Sequence, residues 1–471
     1  MNLRLISISL LIALFPILAS GNTIAYRPSQ PPIDWNHYQD EAVSLLQDYI
    51  RIDTANPPGN ELAAAEFFHR LFDAADIPNR IYVFAPGRAD FYAVLQGDGA
   101  LRPLILLNHM DVVRADGGGW TVPPFSGEIV NGNLYGRGAI DMKDEGLLQA
   151  MVLLIAARQH LRFKRDLVFL ATADEEVDDQ GSVWLLAHHP ELVANAKYLI
   201  TEGGSNLKYA DHETIYGIGV AEKAPLWIRL TARGRGGHGS IPLTNSAPNQ
   251  LIRALNRIVN WEPPVRLIPA VEEYFRNIAQ LEQEPLASEF RRIQKSIRNP
   301  DFVEQLTENE RFNYQIRDTI SLTMLRAGEQ DNVIPDKATA QLDARLLPGE
   351  APRQFIDELR SVIGNDRISI QPVSPFRAPN ASSAHTRLYR IIKQVIHQND
   401  PHALVTPVLN SGYTESQMYR QHGIICYGFS PVVVTPEVEA TEHAANEHVP
   451  VDQIRSGVRM LFEIVTKAAN Q

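Results

Sequence analysis

Three consecutive carboxylates, Asp174, Glu175 and Glu176, follow the apolar run 167–173. Adjacent carboxylates repel one another, so this grouping is costly unless a cation lies against it. A solvated acidic turn is the ordinary explanation for such a run. The alternative is a metal site in which one glutamate binds the ion and its neighbour acts as a general base. The rest of the chain decides between the two.

Five further imidazole and carboxylate side chains lie in loops or directly after apolar segments: His109, Asp111, Asp141, Glu202 and His443. His109 and Asp111 are two residues apart and therefore point to the same side of an extended segment. A histidine with a carboxylate at that spacing suits a metal ligand whose imidazole is oriented by the acid. Taken singly, each residue has a structural explanation, such as a helix N-cap at Asp141. Together with Glu176 they supply enough ligands for a metal centre.

Cys426 is the only cysteine among the 471 residues, so the chain can form neither an intrachain disulfide nor a thiolate metal cluster. Any metal site must use imidazole and carboxylate ligands, which suit Zn²⁺ or another borderline divalent ion. Cys426 lies in the apolar run 424–429 and is expected in a buried strand. The net charge of −11, with no basic stretch, argues against nucleic acid as a partner.

Apolar strands alternate with helices over much of the chain, which predicts an α/β fold with a mixed, mostly parallel sheet. We expect strands at 104–107, 167–173 and 198–201, and helices at 145–159 and 181–188. Ligands of such sheets collect at the carboxyl ends of the strands. The candidate ligands at the ends of these three strands should therefore meet at one edge of the sheet.

The sequence pattern changes at about residue 224. Residues 226–233 alternate as a half-exposed strand, and two further strands are expected at 319–326 and 339–346. Between them, residues 270–318 are strongly helical and charged. An inserted α+β domain with antiparallel strands is expected. The expected domains are the catalytic domain in two parts, 37–223 and 375–471, and the insertion at 224–374.

Glycines at 234, 236 and 239 match the pattern G-x-G-x-x-G around His238. A dinucleotide site is rejected because Ser-Ile-Pro follows in place of a helix start, and the strand–helix–strand context is missing. We interpret the glycines as bringing His238 and its backbone close to another group.

Residues 1–21 combine Arg4, an apolar stretch and small residues at 19–21, which is typical of a secretory signal peptide. Residues 22–36 are rich in proline and are interpreted as a linker. We therefore expect an exported protein, periplasmic or secreted. An uncleaved N-terminal membrane anchor is the alternative, although Pro16 breaks the short apolar run.

Six motifs in order resemble those of the M20 metallopeptidases: His-x-Asp (109–111), Gly-Arg-Gly-x-x-Asp-x-Lys (136–143), Asp-Glu-Glu (174–176), Glu-Gly-Gly (202–204), Gly-Gly-His-Gly-Ser (236–240) and His-x-x-Asn-Glu (443–447). The resemblance extends from about residue 40 to 465. The helical segment 270–318 resembles that of the carboxypeptidase S and aminoacylase-like branch of this family. The inserted domain would then be a lid and dimerisation domain.

The resemblance implies two Zn²⁺ ions per subunit. Asp141 would bridge them. His109 and Glu202 would complete one ion's ligands, and Glu176 and His443 those of the other. The peptide after Asp141 is expected to be cis.

The resemblance also assigns roles around the metals. Asp111 would orient His109, and Glu175 would be the general base. His238 would act across a homodimer formed through the lid domain, donating to the oxyanion. Asn332 and Arg345 match lid positions that grip the carboxylate of the substrate.

The implied function is hydrolysis of amide or peptide bonds in small N-acyl amino acids or short peptides with a free carboxylate. A dipeptidase or aminopeptidase, and an N-acyl amino acid synthase/hydrolase, are alternatives on the same site. A metal-binding module without catalysis is the alternative from another class. Specificity stays open, because Val-Asp-Asp at 177–179 and Gly-Tyr-Thr-Glu at 412–415 depart from the patterns common among relatives.

Overall fold

The computed structural model describes residues 32–208, 214–374, 376–378 and 380–471. The predicted signal peptide at 1–21 and residues 22–31 of the predicted linker lie outside the described residues. Helix α1 begins at Trp35, within the segment 22–36 interpreted as a linker, because the Asp34 carboxylate accepts a hydrogen bond from the amide of His37 and caps the helix. None of the helices in the described part is both long and apolar enough to cross a bilayer.

The described residues alternate between strands and helices, as the sequence predicts. Numbered along the chain, the strands are β1 (Ala55–Asn56), β2 (Asn79–Ala85), β3 (Arg88–Leu95), β4 (Leu104–His109), β5 (Val112–Val113), β6 (Ile129–Val130), β7 (Asn133–Tyr135), β8 (Leu167–Thr172), β9 (Tyr198–Thr201), β10 (Ser205–Leu207), β11 (Ile215–Glu222), β12 (Ala224–Arg233), β13 (Gly237–His238), β14 (Thr319–Ala327), β15 (Val333–Ile334), β16 (Lys337–Leu346), β17 (Ile368–Pro372), β18 (Leu404–Asn410), β19 (Ile425–Gly428) and β20 (His448–Pro450). The helices are α1 (Trp35–Ile50), α2 (Glu61–Asp73), α3 (Lys143–Arg158), α4 (Gln180–His188), α5 (Ala247–Val259), α6 (Pro269–Ile278), α7 (Leu286–Arg291), α8 (Ile293–Ser296), α9 (Pro300–Thr307), α10 (Glu310–Ile316), α11 (Pro352–Ile363), α12 (Arg387–Asn399), α13 (Ser416–Gln421), α14 (Pro436–Glu439) and α15 (Val451–Asn470).

The main sheet has nine strands, in the order β10-β11-β19-β9-β4-β8-β3-β2, with β18 paired to β11. The central neighbours β19, β9, β4 and β8 run parallel to one another. Antiparallel pairs lie toward the edges, at β2–β3, β3–β8 and β10–β11. The predicted mixed, mostly parallel sheet is confirmed. Cys426 is fully buried in β19, as expected.

Helices cover both faces of this sheet, which is why β4, β8 and β9 are buried at every position. On one face, Leu170 of β8 belongs to a cluster with Leu185 of α4 and Tyr419 of α13. On the other face, Phe169 packs edge-on against Phe68 of α2. The central strands are therefore held in the interior, and their carboxyl ends form a fixed platform.

The second sheet consists of β14-β16-β12-β17, and all its pairs are antiparallel. Its four strands lie between residues 224 and 372, and the predicted antiparallel arrangement is confirmed. Helices α5 and α11 pack on one face through Leu251 and Phe355, against Ile228 and Leu342. Strand β14 lies at the edge of the sheet.

Helices α6 to α10 occupy the segment expected to be helical. Helix α6 lies against β18 of the main sheet, where Asn277 donates a hydrogen bond to the Thr406 hydroxyl at 3.2 Å. The segment 224–374, expected to be an inserted lid, thus contains helices that pack on the catalytic sheet. Sequence alone did not indicate this attachment, because it depends on pairing between elements more than 100 residues apart.

Candidate active site

The five predicted metal ligands come from separate loops that the main sheet brings together. His109 ends β4, Glu202 directly follows β9, and Glu176 lies in the turn after β8. Because these neighbouring strands are parallel, their carboxyl ends meet at one edge. Asp141 lies in the turn before α3, and His443 in the loop before β20.

Asp141 lies between the two imidazoles, with one carboxylate oxygen toward each. Its Oδ1 is 3.1 Å from Nε2 of His109, and its Oδ2 is 2.7 Å from Nε2 of His443. Glu202 flanks the first imidazole at 3.5 Å, and Glu176 flanks the second at 3.4 Å. The arrangement thus has two halves that share Asp141, as the resemblance implied. The peptide after Asp141 is cis.

The carboxylates and imidazoles of the centre shift one another's pKa values. Burial would lower the pKa of His109, but Asp141 and Glu202 raise it well above its ordinary value. Hydrogen bonding to Asp141 and then Glu176 raises the pKa of His443 to about 11. Burial raises the pKa of Glu202 to about 7. The carboxylates thus favour positive charge at both imidazoles, and a divalent cation would supply that charge in place of protons.

The donor set fits such a cation. Three overlapping groups have candidate ligand atoms within 4.8 Å of one another: His109 with Asp141 and Glu176, His109 with Glu175 and Glu202, and Asp141 with Glu442 and His443. The Oε1 of Glu176 is buried and has no hydrogen-bond partner among the described residues. A buried carboxylate oxygen is costly without a partner, so the site is suited to a metal ion there.

Glu175 lies in the same cavity but is placed differently from the ligands. Its amide donates to Asp111 Oδ1 at 3.1 Å, while its side chain lines the cavity over the centre. Burial, followed by the charge of Glu202, raises the pKa of the Glu175 carboxyl well above its ordinary value. A carboxylate with a raised affinity for protons is suited to a general base.

Asp111 is positioned by more contacts than the sequence indicated. The Nδ1 of His109 is 2.9 Å from the main-chain carbonyl of Asp111 and 3.7 Å from its carboxylate. That carboxylate instead accepts hydrogen bonds from the amides of Glu175 and Glu176, and from Asn56 Nδ2 at 2.9 Å. Asp111 therefore orients the imidazole through its backbone and holds the acidic turn through its side chain.

Asp174, the first acid of the triplet, belongs to a buried network rather than to the cavity. Its Oδ1 accepts hydrogen bonds from Asn56 at 2.8 Å and from Arg88 at 2.7 Å, and its Oδ2 accepts one from the Gln180 amide. Arg88 also donates two hydrogen bonds to Glu61. Sequence reasoning identified neither Asn56 nor Arg88; the loop Asn-Pro-Pro-Gly at 56–59 was the only local signal.

Glu447 supports the opposite side of the centre. Its Oε1 accepts hydrogen bonds from the amides of Ile140 and Asp141, at 2.9 and 3.3 Å, and its Oε2 pairs with Arg137. The His-x-x-Asn-Glu motif therefore supplies one candidate ligand, His443, and one carboxylate that holds the Asp141 turn. The motif contains Glu447, but the sequence alone does not indicate this supporting role.

None of the three remaining predicted residues lines the cavity over the centre. His238 is exposed on β13, and its Nδ1 is 2.8 Å from the Ser240 hydroxyl. Asn332 is adjacent, since its carbonyl accepts from the Gly239 amide at 2.7 Å. Arg345 lies at the other end of β16. Lys337, the first residue of β16, closely follows the β15 strand that pairs with His238, and Arg345 is about 27 Å further along β16. Its guanidinium pairs with Asp343 at 2.8 Å. The structure thus brings His238 and Asn332 together but not Arg345.

A cavity of about 360 Å³ opens over the centre. Besides the ligands and Glu175, four further acids line it: Asp144, Glu145, Glu439 and Glu442. No Lys or Arg is among the described residues that line it. The cavity is therefore strongly acidic, and a divalent cation would be its main positive charge.

A hydrolytic centre of this kind needs metal ligands, space for water beside them and a spare carboxylate, and the candidate ligands, the cavity and Glu175 meet these needs. The fold and the site together define a metal-dependent hydrolase. The chain belongs to peptidase family M20/M25/M40, whose family model matches residues 105–467. The resemblance seen in the sequence is confirmed, and the alternative of a non-catalytic metal-binding module is set aside.

Similar proteins match this chain over nearly its whole length. Human N-fatty-acyl-amino acid synthase/hydrolase PM20D1 is 28% identical over 458 residues, which cover 91% of this chain and 89% of the relative. An M20 family metallo-carboxypeptidase, Sso-CP2 from Sulfolobus solfataricus, superposes with a TM-score of 0.68 at 18% identity, covering 91% of this chain and 99% of that one. YXEP of Bacillus subtilis, described as a dinuclear metal binding peptidase, superposes with a TM-score of 0.59 at 11% identity, covering 92% and 99%.

Proposed function

We propose that this metallohydrolase cleaves the amide bond of small N-acyl amino acids, or of short peptides with a free carboxylate. The observation that carries the proposal is the Asp141 carboxylate shared between His109 and His443, with Glu175 in the same cavity. The human relative, whose name describes N-fatty-acyl amino acids as substrates, supports the N-acyl class.

We propose two Zn²⁺ ions as the cofactor. His109, Glu202 and Asp141 would hold one ion, and Asp141, Glu176 and His443 the other. When bound, the metal supplies Lewis-acid activation of water and of the scissile carbonyl. The dinuclear description of the Bacillus subtilis neighbour supports a pair of ions.

The proton transfers are assigned to Glu175. Its carboxylate takes a proton from the attacking water and then delivers it to the nitrogen of the leaving amine. Asp111 keeps Glu175 in place by accepting a hydrogen bond from its amide. Protonation costs Glu175 little, because burial and the nearby carboxylates already disfavour its ionised form.

Substrate-carboxylate binding is assigned to Arg345 and Asn332, and oxyanion stabilisation to His238, in a homodimer formed through the second sheet. Edge strand β14 supports this interface, since it exposes Leu322, Met324 and Leu325 at its free edge. Sedimentation analysis of the wild-type chain and of Leu325→Asp measures whether β14 mediates dimerisation.

Dipeptidase or aminopeptidase activity is the second candidate, favoured by Glu442. A free amine needs an acid near the metals, and Glu442 can bring a carboxylate oxygen within 4.8 Å of ligand atoms of Asp141 and His443. A comparison of kcat/KM for N-acetyl-alanine-type substrates and for free dipeptides distinguishes the two functions. Condensation of fatty acids with amino acids would use the same residues in reverse.

The Glu175→Gln variant tests the mechanism. We expect kcat for amide hydrolysis to fall by about 10²- to 10⁴-fold with the zinc content unchanged, because the amide side chain cannot accept the proton. Glu304→Gln, at an exposed position on α9, is the matched control and should keep full activity. A chelator should abolish wild-type activity and added zinc should restore it. Full zinc-dependent hydrolysis by Glu175→Gln would disprove the assigned role.

We also propose that the chain is exported through residues 1–21, whose charged start, apolar stretch and small residues support a cleaved signal. N-terminal sequencing of the protein produced in its native host measures this. A start at or just after residue 21 is expected, whereas an intact Met1 in a membrane fraction indicates the anchored alternative.

A further inference from the structure

The two segments that depart from the patterns common among relatives, 177–179 and 412–415, meet beside the acidic cavity. Tyr413 lines the cavity, and its hydroxyl donates a hydrogen bond to Oδ2 of Asp179 at 2.7 Å. Asp179 is fully buried and does not line the cavity. The hydroxyl of Tyr413 is therefore directed into the protein, and its ring forms part of the cavity wall.

This ring is the bulky part of the wall. Among the described residues that line the cavity, Tyr413 is the only Phe, Tyr or Trp. Glu175 lines the same cavity, and its charge adds to burial and to Asp179 in raising the pKa of the Tyr413 hydroxyl. The ring therefore lies near the carboxylate that handles the protons, where the reacting amide has to sit.

Arg377 fixes the carboxylate that anchors the ring. Its guanidinium donates a hydrogen bond to the same Oδ2 of Asp179 at 2.7 Å. The main-chain carbonyl of Arg377 accepts a hydrogen bond from Nε2 of Gln417, on α13, at 2.9 Å. Because a buried carboxylate is costly without a cation, Arg377 stabilises the charged acceptor to which Tyr413 donates.

The main chain beside the ring is held as well. Thr414 donates two hydrogen bonds to the buried Glu222, from its amide at 3.0 Å and from its hydroxyl at 3.1 Å. Glu222 in turn pairs with Arg420 at 2.9 Å. Since the next residue is fixed in this way, the ring leaves the wall only if the Tyr413 side chain itself rotates.

Rotation would break the hydrogen bond between Tyr413 and Asp179. The loss of a hydrogen bond to a charged group corresponds to a factor of about 10 to 150 in an equilibrium constant. A substrate group too wide to fit beside the ring has to meet this cost before it binds. The hydroxyl therefore contributes to the exclusion of wide groups, although it does not face the cavity.

The acyl group of the substrate is the part that meets this wall. Its amino-acid carboxylate is assigned above to Asn332 and Arg345, which belong to the segment of the second sheet. Tyr413 lies between β18 and α13, on the main sheet. The group on the other side of the scissile carbonyl is thus left to the cavity that Tyr413 lines.

We propose that Tyr413 is a specificity-determining residue that limits the width of the acyl group next to the scissile carbonyl, and that Asp179 and Arg377 are positioning residues that hold its ring. This inference deepens the proposed function and rests on it for its kinetic readout. A narrow acyl group such as acetyl is accepted, and an aromatic group such as benzoyl is disfavoured.

Removing one oxygen atom tests the assignment. The zinc-loaded wild type should have a kcat/KM at least tenfold higher for N-acetyl-alanine than for N-benzoyl-alanine. In Tyr413→Phe this ratio should fall about tenfold, mainly through a lower KM for the benzoyl substrate, because the ring then rotates without losing a hydrogen bond. Tyr92→Phe makes the same change on β3, outside the cavity, and should keep the wild-type ratio. An unchanged ratio in Tyr413→Phe, or a wild-type preference for N-benzoyl-alanine, would overturn the width limit while leaving the proposed function intact.

The positioning role is tested at Arg377. Arg377→Met should lower the ratio as Tyr413→Phe does, because Asp179 then lacks its cation and is a weaker acceptor. Arg377→Lys keeps the charge and should restore most of the ratio. A merely structural role predicts equal losses for the two substrates in Arg377→Met, and that result would refute the positioning role.

Hydroxamic acids provide a readout that does not depend on turnover. Isothermal titration of the zinc-loaded enzyme gives the Kd of acetohydroxamate and of benzohydroxamate, which carry the same two acyl groups. The ratio of the benzohydroxamate Kd to the acetohydroxamate Kd should fall about tenfold from wild type to Tyr413→Phe. An unchanged ratio would refute the width limit. A lowered ratio in an enzyme that hydrolyses neither amide would reject the proposed function and retain the width limit.

Discussion

Arg88 is the cation that compensates two buried carboxylates behind the catalytic turn. It donates two hydrogen bonds to Glu61, which is fully buried, and one to Asp174, which is 2% exposed. Replacing it in Arg88→Met leaves both acids buried without their cation. Removing one partner of a buried ion pair typically costs about 3–5 kcal/mol of stability, and we expect a loss in that range.

The stability loss in Arg88→Met should depend on pH. Burial already raises the pKa of Glu61 above its ordinary value, and removing Arg88 raises it further. A carboxyl whose folded pKa lies above its unfolded value binds more protons in the folded state, so its stabilising contribution is present at low pH and lost as pH rises. The deficit relative to wild type should therefore be smallest below about pH 4.5 and should grow toward neutral pH.

Urea unfolding of the zinc-loaded enzyme, followed by tryptophan fluorescence between pH 4.5 and 8, measures this loss. Arg360→Met is the matched control, since Arg360 pairs with Asp357 on the exposed surface of α11 and should matter little. Zinc affinity should also fall by about tenfold, because Asp174 directly precedes Glu175 and Glu176. If Arg88→Met were no less stable than Arg360→Met, the interpretation of this network as a desolvated charge cluster would be wrong.

Two further substitutions test residues next to the site: Lys223, between the two sheets, and Gly219, which packs against the Glu202 loop. Burial lowers the pKa of Lys223, at the junction of the two sheets, to about 7, whereas the unfolded side chain titrates near 10.5. Between these values the unfolded Lys223 binds more protons than the folded one, so this side chain should make wild-type stability rise with pH by up to about 1.4 kcal/mol per unit, and in urea unfolding of Lys223→Met the rise should be smaller by that amount. In Gly219→Ala the new Cβ would lie 1.9 Å from the carbonyl oxygen of Gly203, so the neighbouring Glu202 must shift. Competition with a chromophoric chelator should show zinc affinity lowered more than tenfold, against no change in Gly117→Ala, where a Cβ has open space.

The centre of the fold is largely predictable from the sequence. Strands β4, β8 and β9 are continuous apolar runs, and each is followed by imidazole or carboxylate side chains. A parallel sheet gathers its strand ends at one edge, so local pattern and topology point to the same cluster. The boundaries of the inserted domain stay a prediction, supported by the location of the second sheet's strands.

Strand β11 shows why other parts were missed. Residues Ile215–Glu222 contain Gly217 and Gly219, and glycine weakens the sequence signal of a strand. The structure requires these glycines, because a Cβ at either position would meet backbone atoms of the segment 203–205. The residues that obscured β11 are the ones that let the Glu202 loop pack against it.

The supporting side chains of the site were unpredictable for a different reason. Asn56 and Arg88 reach Asp174 from 118 and 86 residues away, and no local spacing links them. A single sequence shows which residues could bind a metal. It does not show which distant side chains will donate hydrogen bonds to the supporting acids, such as Asp174, that lie beside the ligands.

The acidic triplet is resolved by giving each carboxylate a different environment. Asp174 is neutralised by Arg88 and hydrogen-bonded by Asn56, which makes it structural. Glu176 has one oxygen near His443 and one buried without a partner in the described residues, which makes it the member suited to a metal. Glu175 is paired neither with Arg88, as Asp174 is, nor with His443, as Glu176 is. Burial therefore leaves its carboxyl with a high proton affinity in the cavity. Burial is the main cause of that raised pKa, and the charges of Glu202, Asp179 and Glu176 add to it. The residue that must accept a proton therefore owes its basicity first to its enclosed position in the cavity and only in small part to repulsion within the triplet.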